Sequence, residues 1–123
     1  MNLPDLLSLT TAQLLEQFRV LALAKGAASL ERRIARHNRL YRQLEAVKAE
    51  LKARSGDQRR GLAQFYHHPD PQVRLDAALA TLAIFPERAQ AVLQTIIDRS
   101  DFPQVANAMH ALMNIRDGTR IPE

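Results

Sequence analysis

Residues 68–82, HPDPQVRLDAALATL, constrain the fold of this chain more than any other stretch. Asp70 is the short polar residue that an N-cap needs, and Pro71 suits the first helical position, where its missing N–H costs nothing. Behind them, Ala77 and Ala78 leave room for a neighbouring helix. An echo follows in residues 102–112, FPQVANAMHAL, which again places Pro-Gln-Val at a helix start with an Ala-x-x-x-Leu face behind it. Pro71-Gln72-Val73 and Pro103-Gln104-Val105 lie 32 residues apart, whereas Ala78 and Leu82 match Ala108 and Leu112 at 30, so two residues are lost between them. A period of this size with two helices per unit belongs to stacked helical arrays, in which neither pair buries its apolar face alone. Such arrays are scaffolds whose function lies in a surface.

The 123 residues, 46% of them apolar, suffice for one core and lead us to expect a single all-α domain over residues 1–123. Without any cysteine, disulfides, thiolate catalysis and cysteine-ligated metal centres are excluded. The first thirty residues lack a basic start followed by an unbroken apolar run, and no eighteen uncharged apolar residues occur together. The expectation is a soluble, cytoplasmic chain with no membrane contact. Charge is unevenly placed. Residues 25–60 hold eleven of the seventeen Lys and Arg residues against Glu31, Glu45, Glu50 and Asp57, which leaves +7 there within a chain of net +4. Any electrostatic function is expected on this middle segment.

Thr10, with Gln13 in capping-box position and Leu9 and Leu14 as a hydrophobic staple, predicts a helix start. Leu14, Phe18, Leu21 and Ala22 form its core stripe, and Gly26 is read as its stop. A long basic second helix is expected over residues 29–54, because Leu30, Ile34, His37, Tyr41, Leu44 and Leu51 recur without Gly or Pro between them. Its length suggests a seam with a second copy, although the apolar line barely spans three heptads. Asp57 is expected to cap a helix ending near His67, and Asp70 and Pro71 one that runs to about Ile84. Pro86 opens a helix with Ala89, Val92, Leu93, Ile96 and Ile97 on its core face. Asp101 and Pro103 start the last one, where Val105, Met109, Leu112 and Met113 read as core. No strand alternation occurs, so the fold class is all-α with about six helices.

The pattern Asp70-Pro71-x-Val73-Arg74-x-x-Ala77-Ala78 resembles the second helix of a HEAT repeat. That resemblance implies two HEAT-like helical pairs and a structural arginine, although the second unit carries Ala106 in the arginine's place. Over nearly its full length the chain also resembles the bacterial family called domain of unknown function 2019. Leu21-Ala22-Leu23-Ala24, Asn38-Arg39-Leu40, Leu51-Lys52-Ala53-Arg54, Gly56-Asp57-Gln58-Arg59-Arg60, His68-Pro69 and Val73-Arg74-Leu75 carry this resemblance. It implies a helical fold and transfers no catalytic residue.

Among candidate sites, Arg32, Arg36 and Arg39 come first. On one continuous helix they would fall within about 60° of each other, with no acidic residue three or four positions away. Such a stripe could meet an acidic protein or nucleic-acid phosphates; its ordinary alternative is a solvated helix face. His67, His68 and Asp70 are poor metal ligands together, because adjacent helical histidines diverge, and His37 or His110 would have to converge from elsewhere. Arg74, with Asp70 and Pro71, is read as structural, pairing with Asp70, Asp101 or a helix-end carbonyl. There is no Gly-rich phosphate loop, GxSxG or HExxH motif. We therefore expect no catalytic residues, cofactor or metal, and a non-enzymatic protein-interaction or scaffold module. Its partner would be an unidentified protein or a second copy through the long helix. Nucleic-acid binding through the basic helix 29–54 is the alternative.

Overall fold

The computed structural model describes residues 5–123, and every described element is helical. Five α-helices occur among the described residues: α1 (Thr11–Leu30), α2 (Ile34–Ala53), α3 (Pro71–Thr81), α4 (Pro86–Asp98) and α5 (Gln104–Arg116). An eight-residue 3-10 helix, Gln58–Phe65, completes the expected six, and a short 3-10 turn, Leu6–Ser8, precedes α1. The chain divides into two compact units, Met1–Gly61 and Leu62–Glu123.

The first unit is an antiparallel hairpin of α1 and α2. Thr10 Oγ1 accepts from the Gln13 backbone N–H at 3.1 Å while Gln13 Oε1 accepts from the Thr10 N–H at 2.8 Å, a reciprocal cap. The anticipated stripe of Leu14, Phe18, Leu21 and Ala22 is buried. Gly26 does not stop the helix. It is a buried position inside α1, which continues to Leu30, because the turn that ends α1 is formed further on by backbone hydrogen bonds. The Arg33 N–H donates to the Ala28 carbonyl at 2.9 Å and the Arg32 N–H to that of Ser29 at 3.1 Å. This is a Schellman closure with Arg32 in the left-handed region at φ 57°.

The single helix expected over residues 29–54 is therefore two pieces, the last turn of α1 and, after a reversal at residues 31–33, α2. The expected apolar line also divides. Leu44 and Leu51 are buried together with Leu40 and Val47, at i, i+4, i+7 and i+11, whereas Leu30, Ile34 and Tyr41 are exposed. The reversal takes Leu30 off the helix that carries the others, and within α2 Ile34 and Tyr41 lie about 60–80° round from Leu44, on the side away from Val47 and off the buried line. At the far end of the hairpin Arg54 clamps the chain, donating to Glu50 Oε2 at 3.0 Å and to the Leu6 carbonyl at 3.1 Å. Beyond it Gly56 and Asp57 both take positive φ. The Asp57 carboxylate accepts from Arg59 Nε at 2.9 Å and Nη2 at 2.7 Å, which holds its pKa below the ordinary aspartate value.

In the second unit α3 packs on α4 and α5, and α4 packs on α5. Asp70 Oδ1 accepts from the Gln72 N–H at 2.8 Å and the Val73 N–H at 3.3 Å, with Pro71 at the first turn of α3, as its sequence dictates. α3 ends at Thr81, where the Ile84 and Phe85 N–H groups turn back onto the Thr81 carbonyl. Thr81 Oγ1 also meets the hydroxyl of buried Tyr66, whose pKa burial pushes up. Ala89, Val92, Leu93 and Ile96 line the inner face of α4. The two glutamines that occupy equivalent places in the sequence echo meet across 32 residues. Gln104 Nε2 donates to Gln72 Oε1 at 3.0 Å, both side chains being buried, and Gln72 Nε2 donates in turn to Asp76 Oδ2 at 3.0 Å. The echo thus corresponds to two helix starts held side by side.

One expectation for α5 is overturned. Its buried line is Gln104, Ala108, Ala111 and Leu112, while Met109 and Met113 are 46% and 57% exposed. Small alanines bring α5 close to its neighbours, and the methionines, about 100° further round, remain outside.

Candidate functional site

The reversal between α1 and α2 lies beside Arg32, Arg36 and Arg39, the first of the candidates singled out in the sequence. Its apex is Glu31-Arg32-Arg33, followed directly by Ile34, and it opens an apolar hollow of about 290 Å³ lined by Ala28, Ser29, Arg32, Arg33, Ile34 and His37. Leu30 and Ile34, 61% and 73% exposed, project beside it. Large aliphatics at such exposure on both sides of a tight reversal contribute nothing to the core of the hairpin.

Arg32, Arg36 and Arg39 are all exposed, but they do not form the anticipated stripe along one helix. Arg32 belongs to the reversal, in left-handed backbone. Arg36 and Arg39 remain about 60° apart on α2. Arg36 lies one turn ahead of Leu40 on the side that becomes buried from Leu40 onward, so it stands beside the reversal that closes the hairpin and not opposite its core. None of the three makes an ion pair among the described residues. Arg33 does, with Glu31 at 3.0 Å; both side chains are more than half exposed, so the pair holds the reversal only weakly. Arg33 counts within the basic segment 25–60 but not within the expected stripe.

The start of α2 adds a further polar feature. Arg33 occupies the N-cap and makes no side-chain capping bond, and no acidic residue stands in the first turn. Backbone N–H groups at that turn and the arginines around it favour negative charge together. Further along, Lys25 Nζ sits 5.6 Å from the centroid of the Tyr41 ring, which gives the exposed Tyr41 a cationic neighbour on α1.

The other candidates lie elsewhere. Arg74 is buried on α3, and its Nη2 donates to Asp101 Oδ2 at 3.2 Å, so that among the partners considered Asp101 takes the guanidinium. Asp101 follows the second Schellman closure of the chain, in which its N–H donates to the Ile96 carbonyl and Ser100 has φ 54°. Arg74 therefore ties α3 to the α4–α5 turn, though its Nε and Nη1 have no hydrogen-bond partner. Asp70 and Pro71 serve the helix start already described. His68 Nδ1 accepts from the Asp70 N–H at 3.0 Å and its ring meets Phe65 edge-on, whereas His67 is exposed. No group of three or more His, Asp or Glu residues suited to a metal ion occurs among the described residues. No described helix is long and apolar enough to cross a membrane.

These features define an all-helical protein with a basic, partly apolar corner. Residues 12–116 match the family described as Domain of unknown function (DUF2019), and the chain belongs to that family. It is similar to a solved structure described as "Crystal Structure of the Protein RPA1889 from Rhodopseudomonas palustris CGA009", with 38% sequence identity and a TM-score of 0.94. The likeness covers 98% of this chain and 100% of that one. No curated protein matches.

Proposed function

We propose that this chain is a non-enzymatic interaction module that docks an acidic protein partner through the α1–α2 corner. The observation that carries this reading is the coincidence of Leu30, Ile34 and the apolar hollow with Arg32, Arg33, Arg36 and Arg39, all exposed. Protein interfaces combine an apolar centre with a rim in which arginine is enriched, and a carboxylate-bearing partner complements both the guanidinium groups and the uncapped start of α2. Phosphate backbones would use the arginines but have no use for two aliphatic anchors. That difference favours a protein over nucleic acid. On this reading the second unit is the scaffold, its paired helix starts at Gln72 and Gln104 making it a HEAT-like repeat, and the cysteine-free chain works in the cytoplasm.

The test is affinity capture on the immobilised chain beside the Arg32→Ser/Arg36→Ser/Arg39→Ser variant, with DNA and RNA shift assays at two salt concentrations. The expected result is an acidic protein that elutes with salt and is missing from the variant, without a nucleic-acid shift. A steeply salt-dependent shift abolished by the same substitutions would overturn the reading in favour of nucleic acid.

A further inference from the structure

The hollow at the α1–α2 corner restricts what a docked partner places there. At about 290 Å³ it lies at the lower end of ligand pockets, which run to about 300–1,000 Å³. It opens between side chains that are themselves exposed, those of Ser29, Arg32, Arg33 and Ile34, so a drug-sized ligand would stay largely in water. One large side chain fits.

The lining selects its type. Buried Ala28 and exposed Ile34 supply aliphatic surface, while Arg32, Arg33 and His37 bring flat, π-bonded groups. A guanidinium over an aromatic ring is worth about 0.5–1 kcal/mol at an exposed site, and a branched aliphatic side chain offers it no such contact. Charge then selects what flanks the ring. From Ser29 to Leu44 the sequence holds five arginines and a single carboxylate, Glu31. Glu31 meets Arg33 at 3.0 Å in an exposed pair of little net worth, so an incoming carboxylate displaces it at small cost.

We infer that the hollow receives one aromatic side chain of the acidic partner, carried on a short segment with carboxylates on both sides of it. This inference deepens the docking reading above and rests on it. The ring enters between Arg32, Arg33 and His37, and the flanking carboxylates meet the guanidinium groups around the reversal. Leu30 and Ile34, 61% and 73% exposed, pack beside the inserted ring and keep water from it, as the residues around an interface hot spot do. Their exposure in the free chain and the apolar hollow next to them thus have one explanation.

The chain contains no tryptophan, so a peptide that carries one reports its own binding by fluorescence. The probe is a short peptide with blocked ends and a central tryptophan between glutamates, titrated with the full chain at low salt. Its emission is expected to shift to the blue and saturate with a dissociation constant below about 1 mM. A peptide with leucine for tryptophan should compete about fivefold more weakly, and one with lysines for the glutamates should not compete. Ser29→Leu, at an exposed position, fills the hollow and keeps every arginine; Ile34→Ser removes a wall at another. Each should weaken the tryptophan peptide about fivefold or more with an unchanged melting temperature. The absence of a saturable shift, equal competition by the leucine or lysine peptide, or unaltered affinity in both variants would overturn the inference. An acidic protein captured equally by wild type and Ser29→Leu, but missing from Arg32→Ser/Arg36→Ser/Arg39→Ser, would overturn the aromatic anchor alone and leave the docking reading standing.

Discussion

Where α3 begins, the Asp70 side chain accepts two backbone N–H groups and Pro71 fixes the first turn; where α2 begins, the Arg33 side chain caps none. The contrast extends to the residues that end helices. Left-handed backbone favours glycine, and α5 ends with Gly118 there, but the reversal after α1 places Arg32 in that conformation. Ser100 does the same after α4, so a non-glycine in this place is not confined to the first unit. α5 likewise starts without a side-chain cap, but the turn before it is tied to α3 by the Arg74–Asp101 ion pair, whereas Arg32, Arg36 and Arg39 at the α1–α2 corner make no ion pair among the described residues. Departures from local rules collect where something other than stability decides the residue. The second unit obeys those rules at α3, and its polar groups are spent on holding helices together. The first unit carries twelve of the seventeen Lys and Arg residues, Arg32, Arg36 and Arg39 among them.

Substitutions can break this contrast or sharpen it. The largest effect is expected at Arg74. Arg74→Ala removes a buried stem and its bond to Asp101 and should cost about 2 kcal/mol in chemical denaturation, whereas exposed Arg36→Ala should stay within about 0.5 kcal/mol. Arg74→Met should cost less than Arg74→Ala, because it keeps the packing and removes two donors that have no partner. Equal and negligible losses for Arg74→Ala and Arg36→Ala would remove the structural assignment.

Repairing the corner should do the opposite. Arg32→Gly relieves the left-handed position and Arg33→Ser supplies a capping hydroxyl, so that together they should add about 1 kcal/mol, read as a higher melting temperature. Asp70→Ala, by contrast, should cost about 1 kcal/mol through loss of the α3 cap. A melting temperature lowered by the first pair, or unchanged in Asp70→Ala, would erase the difference between the two helix starts.

The smallest effect is on acid stability. Hydrogen bonds from Arg59 hold the Asp57 carboxyl below its ordinary value, so the stability this pair contributes is present above the ordinary aspartate pKa of about 3.9 and is lost as pH falls through it toward the folded value. Melting temperature between about pH 2 and pH 6 should fall less steeply in Asp57→Asn than in wild type. An identical slope would show that the pair contributes nothing to acid sensitivity.

Much of this fold can be read directly from particular residues. Thr10 with Gln13, Asp70 with Pro71, and Pro86 mark helix starts through side-chain chemistry, and each lies where its chemistry says. Leu14 through Ala22 and Ala89 through Ile96 have unbroken helical spacing, and their faces are buried accordingly. The α1–α2 reversal escaped because its signal was misleading. Gly26 offered the expected stop, yet the chain closes its helix with backbone bonds to Ala28 and Ser29 around an arginine, and no local composition announces that. Met109 and Met113 failed for another reason: spacing identifies a face but not whether a neighbour covers it. Consequently the arginines were legible as unpaired charges, while the corner that gathers them with Leu30 and Ile34 was not.

The central claim is that the α1–α2 corner departs from local rules because a partner is recognised there. Capture on immobilised Arg32→Gly/Arg33→Ser, compared with wild type, tests it most directly, since this variant is expected to be at least as stable. The account predicts that a protein retained by the wild type is lost from the repaired corner; undiminished retention of every captured protein would contradict it.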